Sequence, residues 1–531
     1  MKKFFLLILF VSLNINAQQE HAWVFFTNKT NVQEALEDPY SILSPRAVER
    51  KSLRGTPIDE RDVPVNENYI AQIKNQEGIS VKAKSKWFNC VHVIGSLEQI
   101  SNLSSLNFVS KIEFASNELE NRASLQQLEK VDKLEANVEF TYGPAGNQVK
   151  MLNTDYLHQN DLTGNGIIIA VMDAGFPNVN NLQAFSRLRT QGKLLGGYDF
   201  PGRSSNFSNT DLDGHGTVVL ATMAGFLEDE YTGTAPDASY YLFRTEIAPT
   251  ETPVEESYWV EAAERADSLG VDIINTSLGY TTFDEEKYDY SPQDMDGKTA
   301  FISRGASVAT EKGMLVVTSA GNRGDRENFN IIGAPGDANV LTIGAVDKDG
   351  EYAFFSSTGP SADGRTKPDL AAQGLEIITI DEFGNLVVAS GTSFASPILA
   401  GSAASLWQAN PEWTNLELMQ ILRESGSLYE NPNSMLGYGI PDLSTAYQST
   451  GSENFTPGDF IFSPNPVKNI LNFVSPEDLA FDITVFDTLG QKILHQKNTK
   501  DKIDLTGFSS GIYIVMFEQN SSKKSFLIIK E

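Results

Sequence analysis

The chain is poor in cysteine, histidine and positive charge. Cys90 is alone among 531 residues, which excludes a disulfide framework and any thiolate metal cluster. Lysine and arginine number 41 against 69 aspartates and glutamates, a formal net charge of −28. Such a chain repels phosphate backbones and has no counterion release to offer, so nucleic acid is excluded as a partner. The same charge favours solubility in a crowded or salty exterior. Long apolar runs are missing too. Phe4 to Leu13, broken only by Ser12, is about ten residues where a bilayer span needs about 20, and no later stretch is longer, so no transmembrane segment is expected.

What is present reads as an exported multi-unit protein. Hydrophobic residues make up 40% and charged residues 21%, an ordinary soluble balance, and at about 150 residues per domain the length suggests three or four units. Lys2 and Lys3 precede the short apolar run, and Asn14, Ile15, Asn16 and Ala17 lead to Gln18, so residues 1–17 read as a signal peptide. Residues 18–115 alternate strand-like segments (22–27, 79–83, 91–94, 109–114) with helical ones (44–52, 69–76, 97–106), a small α+β unit. Residues 116–150 are polar and open to cutting, a linker. From 151 to 448, continuous apolar strands such as Ile167–Met172, Val271–Ile274 and Leu315–Thr318 alternate with helices, among them Glu256–Leu269 with Trp259, Ala262, Ala263, Ala266 and Leu269 on one face. That pattern predicts an α/β fold with a doubly wound parallel sheet and active residues beyond the strands' carboxyl ends. A linker at 449–459 precedes residues 460–531, six or seven short alternating strands that predict an all-β sandwich. No internal repeat is found.

Three short motifs in the α/β region carry chemistry. Asp173 ends the strand Ile168–Met172 and is followed by Ala174-Gly175. His215 stands in Asp213-Gly214-His215-Gly216-Thr217, just before the apolar stretch Val218–Ala224. Ser393 stands in Gly391-Thr392-Ser393-Phe394-Ala395-Ser396-Pro397, at the start of a small-residue helix. A serine hydroxyl needs a base to take its proton, neutral imidazole is that base near neutral pH, and a carboxylate on the far nitrogen fixes the tautomer and stabilises the cation. A helix N-terminus favours the negative charge that develops beside the serine. Of five histidines, His21 and His92 fall in the leading unit, His495 in the trailing one and His158 ahead of the core, which leaves His215. Ser319-Ala320-Gly321-Asn322 ends another apolar strand and supplies an uncharged amide donor for an oxyanion; loss of such a donor from an oxyanion site costs about 100- to 1,000-fold in turnover.

Asp173, His215, Asn322 and Ser393 resemble, in order and local context, the subtilases, the subtilisin-like serine endopeptidases, with a full Gly-Thr-Ser-x-Ala-x-Pro match around Ser393. The resemblance covers about 300 residues and departs at Ala174, where the family usually has Ser or Thr. It implies a subtilisin-like fold and an acyl-transfer endopeptidase acting on proteins or peptides, without a required cofactor. It also implies that Ser277-Leu278-Gly279 pairs with an extended substrate peptide while Ala320 and Gly321 form the opposite pocket wall, small walls that suit bulky or apolar residues. The alternative from a different class is a catalytically silent adhesin or peptide-binding module on the same fold.

The acidic stretch between Thr281 and Thr299 offers oxygen ligands for structural calcium, although such a loop in an acidic chain is ordinarily just solvated and no Asp-x-Asp-x-Asp-Gly pattern appears. The leading unit resembles subtilase prodomains, which assist folding and block the site until self-cleavage, here expected between Phe114 and Gly146. The trailing unit resembles the C-terminal sorting domains recognised by the type IX secretion machinery of Bacteroidetes. The stretches that carry this are Phe462–Val467, Val485–Gln491, Leu505–Val515 and Lys523–Lys530. Its rival reading is a sandwich that binds polysaccharide or protein. Together they imply export through the periplasm to the cell surface or beyond.

Overall fold

The computed structural model describes residues 19–116, 141–449, 461–463, 466–474, 480–487, 491–519 and 522–531. The expected signal peptide, most of the expected maturation region and nearly all of the second linker lie outside them.

The leading unit is a four-stranded antiparallel sheet ordered β2-β3-β1-β4, from β1 (Gln19–Phe26), β2 (Ser80–Ser85), β3 (Cys90–Ser96) and β4 (Val109–Phe114). Helices α1 (Val32–Glu37), α2 (Pro45–Leu53), α3 (Glu67–Lys74) and α4 (Leu97–Asn102) accompany it. Alternation splits its strands: Ala22, Val24 and Phe26 pack with Ile70, Ile73 and Ile100, whereas Trp23, Phe25 and Cys90 face the central domain.

That domain holds α5 (Gly146–Lys150), α6 (Thr154–Gln159), β5 (Ile168–Asp173), α7 (Ser186–Thr190), β6 (Leu194–Asp199), α8 (His215–Ala224) and the small hairpin β7 (Phe226–Leu227) and β8 (Tyr231–Thr232). It continues through β9 (Ser239–Arg244), α9 (Val254–Leu269), β10 (Ile273–Thr276), α10 (Phe301–Glu311), β11 (Leu315–Ser319), β12 (Leu341–Val346) and β13 (Leu370–Gln373). The hairpin β14 (Ile377–Ile380) and β15 (Leu386–Ala389), then α11 (Thr392–Ala409), α12 (Asn415–Glu424) and α13 (Leu443–Ser449), complete it. Seven strands form one parallel sheet in the order β13-β12-β11-β10-β5-β9-β6. From β5 the chain goes to the edge strand β6, returns through β9 and then runs outward from β10 on the other side, so the order switches between β5 and β10, the place where such sheets open a crevice at their carboxyl ends.

Both faces are covered, which is why these strands read as continuous apolar runs. Ile169 and Val171 pack with Val219 and Leu220 of α8 and Ala395 and Leu399 of α11; Ala170 and Met172 pack with Trp259 and Ala263 of α9 and Phe301 of α10. Helix α9 departs from its amphipathic reading. Besides the apolar stripe, Glu255, Glu256, Ser257, Glu264 and Asp267 are buried. The leading unit covers much of that polar face: Trp23 Nε1 donates to Ser257 Oγ (2.8 Å), and Glu264 accepts from Ser85 Oγ (2.5 Å) and the Trp87 N–H (2.9 Å).

The trailing unit is two antiparallel sheets around one apolar core. Strands β16 (Ile461–Ser463), β17 (Ile470–Val474) and β20 (Lys502–Asp504) form the first; β18 (Phe481–Asp487), β19 (Lys492–Thr499), β21 (Gly511–Gln519) and β22 (Ser522–Lys530) form the second. Leu471, Phe473, Ile483, Val485, Ile503 and Val515 fill the space between them. Among the described residues no helix is long and apolar enough to cross a membrane.

Candidate active site

The four chemical groups singled out in the sequence converge at the carboxyl end of the parallel sheet. Asp173 is the last residue of β5 and fully buried, with Oδ1 accepting from His215 Nδ1 and from the Ala174 N–H, each at 2.8 Å. Its Oδ2 is buried without a hydrogen-bond partner among the described residues. Ala174 has no hydroxyl to offer, so the departure seen in the sequence leaves that oxygen unserved.

His215 opens α8, and its own N–H donates to Asp213 Oδ1 (2.8 Å). Gly216 lets this turn press on β5: a Cβ there would stand 2.4 Å from the Gly175 carbonyl oxygen and 2.9 Å from Asp173 Cβ. Burial works against the imidazolium, but the charge and hydrogen bond of Asp173, with the charge of Asp213, outweigh it and hold the His215 pKa above its ordinary value. In the neutral ring the Nδ1 proton points at Asp173, which leaves Nε2 as the basic nitrogen.

Ser393 is the second residue of α11, where backbone N–H groups are unpaired and the dipole is positive. Pro397, four residues on, has no N–H to return to the Ser393 carbonyl. Ser277 fills the gap: its Oγ donates to that carbonyl at 2.8 Å and accepts from Asn275 Nδ2 at 3.2 Å, while Ser396 Oγ donates to Asn275 Oδ1 at 3.0 Å. The end of β10 is thus tied to the first turn of α11. The His215 ring lies beside Phe394, centroids 5.9 Å apart, and no direct hydrogen bond joins Ser393 Oγ to His215 in this resting structure. Such bonds often tighten only when substrate is bound.

Asn322 is oriented from behind. Its Oδ1 accepts from the Thr392 N–H and from Thr392 Oγ1, each at 2.9 Å; because a backbone N–H can only donate, this fixes which amide atom is the oxygen and leaves Nδ2 free as a donor beside Gly391. The Gly321 N–H also binds Thr392 Oγ1 (3.0 Å), and Gly321 sits at φ +98°, a conformation that excludes other residues. Ala320 and Ser277 are buried, Leu278 half-buried and Gly279 exposed. Among the described residues, no backbone hydrogen bond uses Leu278 or Gly279, whereas the next residue, Tyr280, pairs with Ala334. A stretch of backbone unpaired among the described residues therefore follows the end of β10.

The other histidines are held elsewhere. His158 binds Tyr142 Oη and the Thr234 carbonyl, with burial lowering its pKa to about 4. His21 and His92 bond to each other at 2.9 Å in the leading unit, and His495 bonds to Thr484 in the trailing one. Several carboxylates of the acidic stretch are used locally. Asp289, Asp294 and Asp296 accept from the N–H groups of Phe283, Ser291 and Thr299, and no group of three His, Cys, Asp or Glu among the described residues is placed to hold a metal. Asn275, Ser277 as a carbonyl anchor, Ser396 and Thr392 hold this arrangement without having stood out in the sequence; for Ser277 alone the proline in the serine motif is a signal, since it removes the helical N–H that would bond the Ser393 carbonyl.

The subtilase family model matches residues 164–439, just over half of the chain. The chain belongs to the subtilase family. As a subtilase it is a serine peptidase by type, and a Bacteroidota peptidase S8 propeptide model matches residues 21–132 and a secretion system C-terminal sorting domain model residues 461–531. This subtilase is similar to the alkaline protease of Alkalihalobacillus alcalophilus, 29% identical over 292 residues covering 54% of this chain and 66% of that protein. It is also similar to subtilisin E of Bacillus subtilis (strain 168), 28% over 306 residues covering 56% and 70%. Serine protease AprX of Bacillus subtilis (strain 168) matches at 28% over 330 residues, covering 56% and 67%. The chain thus spans about two thirds of the length of these relatives.

Because Asp173 supplies the larger upward pull on the His215 pKa, Asp173→Asn should drop it below the ordinary histidine value of about 6.5, since burial is then opposed only by the weaker pull of Asp213. An NMR titration of His215 in the two proteins measures this; an unchanged midpoint would deny the coupling.

Proposed function

We propose that this subtilase is an exported endopeptidase that hydrolyses peptide bonds in proteins through an acyl-enzyme. The observation that carries the reading is the 2.8 Å bond from buried Asp173 to His215 Nδ1, which leaves Nε2 basic beside the helix start that bears Ser393. Ser393 Oγ forms a bond to the substrate carbonyl carbon as its proton passes to His215 Nε2. Asn322 Nδ2 and the Ser393 N–H hold the resulting oxyanion. Collapse breaks the C–N bond, with His215 returning the proton to the leaving amine, and water repeats the sequence to release the acid and regenerate Ser393. The substrate pairs along Ser277-Leu278-Gly279 as an added strand, and this segment forms one wall for the residue before the cut, with Ala320 and Gly321 as the opposite wall. No metal or cofactor enters these steps.

The same reading assigns 1–17 as signal peptide, 18–115 as an inhibitory prodomain, 116–150 as the maturation region, 151–448 as the catalytic domain and 460–531 as the tail read by type IX secretion machinery. The sorting-domain match supports export to the surface or the medium through the periplasm.

Ser393→Ala, produced alone, should remain at precursor size on a western blot; full maturation of that variant would contradict self-cleavage. Asn322→Ala should keep the fold and lose about 100- to 1,000-fold in kcat on a peptide substrate; a loss under about threefold would remove the amide from the oxyanion site. Deleting residues 455–531 should trap the enzyme in the periplasm, whereas normal release with weaker action on insoluble substrate would favour the binding sandwich.

A further inference from the structure

The leading unit grips the catalytic domain at two separate places. Its sheet lies on α9 and α10, where Trp23 stacks on Phe301 with ring centroids 4.4 Å apart. Its segment from Pro39 to Asp62, containing α2, instead reaches the amino-terminal end of the parallel sheet, opposite the crevice. The marker is Asp272, the residue before β10: one oxygen accepts the N–H of Ile168 at the start of β5 (2.9 Å), while Asp173 closes the other end of that strand.

At this far end the charges interlock. Asp272 binds Arg54 (2.7 Å) and Arg46 (2.8 Å); Asp267 binds Arg50 (2.5 Å) and Lys51 (2.8 Å). The polarity then reverses, Lys312 of the catalytic domain binding Asp62 (2.7 Å) and Asp59 (2.9 Å) of the segment. Asp267, Asp272, Asp62 and the Lys312, Arg50 and Lys51 side chains are at most 1% exposed. Among the described residues, every ion-pair partner of Asp267, Asp272 and Lys312 comes from this segment.

Backbone contacts add shape to the charges. The Ser44 N–H donates to the Ser268 carbonyl (2.9 Å), and a Cβ on Gly270 would stand 2.7 Å from Ala47 N. Arg54 also lies over the Trp407 ring, 3.9 Å from its centroid, and donates to the Pro411 carbonyl. Trp407 is about 21 Å along α11 from Ser393 at 1.5 Å per residue.

We propose that residues 39–62 are a clasp that keeps the leading unit bound as a subunit after the chain has been cut between 114 and 146. A cut there frees a chain end but touches neither the sheet contact nor the clasp, and emptying the crevice leaves the far end untouched. Buried ion pairs resist the removal of one partner, because the other is left without compensation. The clasp therefore sets how slowly the unit leaves, independently of what occupies the active site.

The test does not depend on the catalytic reading. A full-length Ser393→Ala chain carrying a site-specific protease sequence within residues 120–135 is cut by that added protease and run on gel filtration at about 0.5 M salt, which screens exposed charges far more than buried ones. The cut leading fragment should co-elute with the rest of the chain in equal amount, and Arg50→Ala with Arg54→Ala should shorten its retention by about 100-fold or more. Arg54→Lys keeps the charge but not the fork over Trp407, and should shorten it by about fivefold, which serves if the double variant does not fold. A parent fragment that elutes alone, or variants that hold it as tightly as the parent, would overturn the clasp.

Discussion

A buried carboxylate at the end of a central parallel strand is the constraint from which the rest of this site follows. Asp173 has no solvent around it, and one of its oxygens takes both the imidazole of His215 and the next backbone N–H. An isolated charge there would be costly; the partner that compensates it is the ring whose basicity it sets. Position and chemistry are therefore one fact. The strand must end where it does, and α8 must start against it, which Gly216 permits by having no side chain to hold the two apart.

The second half of the site depends on a helix whose first turn is deliberately incomplete. Pro397 withholds an N–H from Ser393, and the carbonyl so freed is taken by Ser277 from the neighbouring strand end. Thr392 in turn fixes Asn322, whose amide hydrogens are then left facing the helix start. Two strand ends, those of β10 and β11, are thereby locked to the start of α11 through short side chains, while the end of β5 is bonded to the start of α8. The order of strands explains why they can meet: β5, β10 and β11 are adjacent in the sheet although about 100 residues separate the first two along the chain.

Much of this was legible in the sequence, and unevenly. The strand Val109–Phe114 lies where it was expected, and Ile168–Asp173 is shifted by a single residue, because apolar runs bounded by polar residues leave little choice. Helix α9 was legible only as half of itself. Its apolar stripe faces the sheet as expected, but Glu264 and Asp267 look like solvent-facing residues until the leading unit is placed over them. The hairpin β14–β15 and the short helix α1 carried too little periodicity to be seen. Among site residues, those with distinctive chemistry stood out, whereas Asn275 and Ser396 did not, since a polar residue in an apolar segment does not reveal which distant carbonyl or amide it serves. In the acidic stretch, Asp289 and Asp296 accept from nearby backbone N–H groups, a use that composition alone does not reveal.

A leading unit that contributes buried charge to the far end of the sheet makes the catalytic domain and its escort one electrostatic system. The central claim remains that Ser393 is an activated nucleophile. The most direct measurement is exposure of the processed protein to a fluorophosphonate probe, followed by mass spectrometry to locate the adduct. The account requires the phosphonyl group on Ser393 and no labelling after His215→Ala; an unlabelled wild-type protein, or an adduct on another residue, would contradict it.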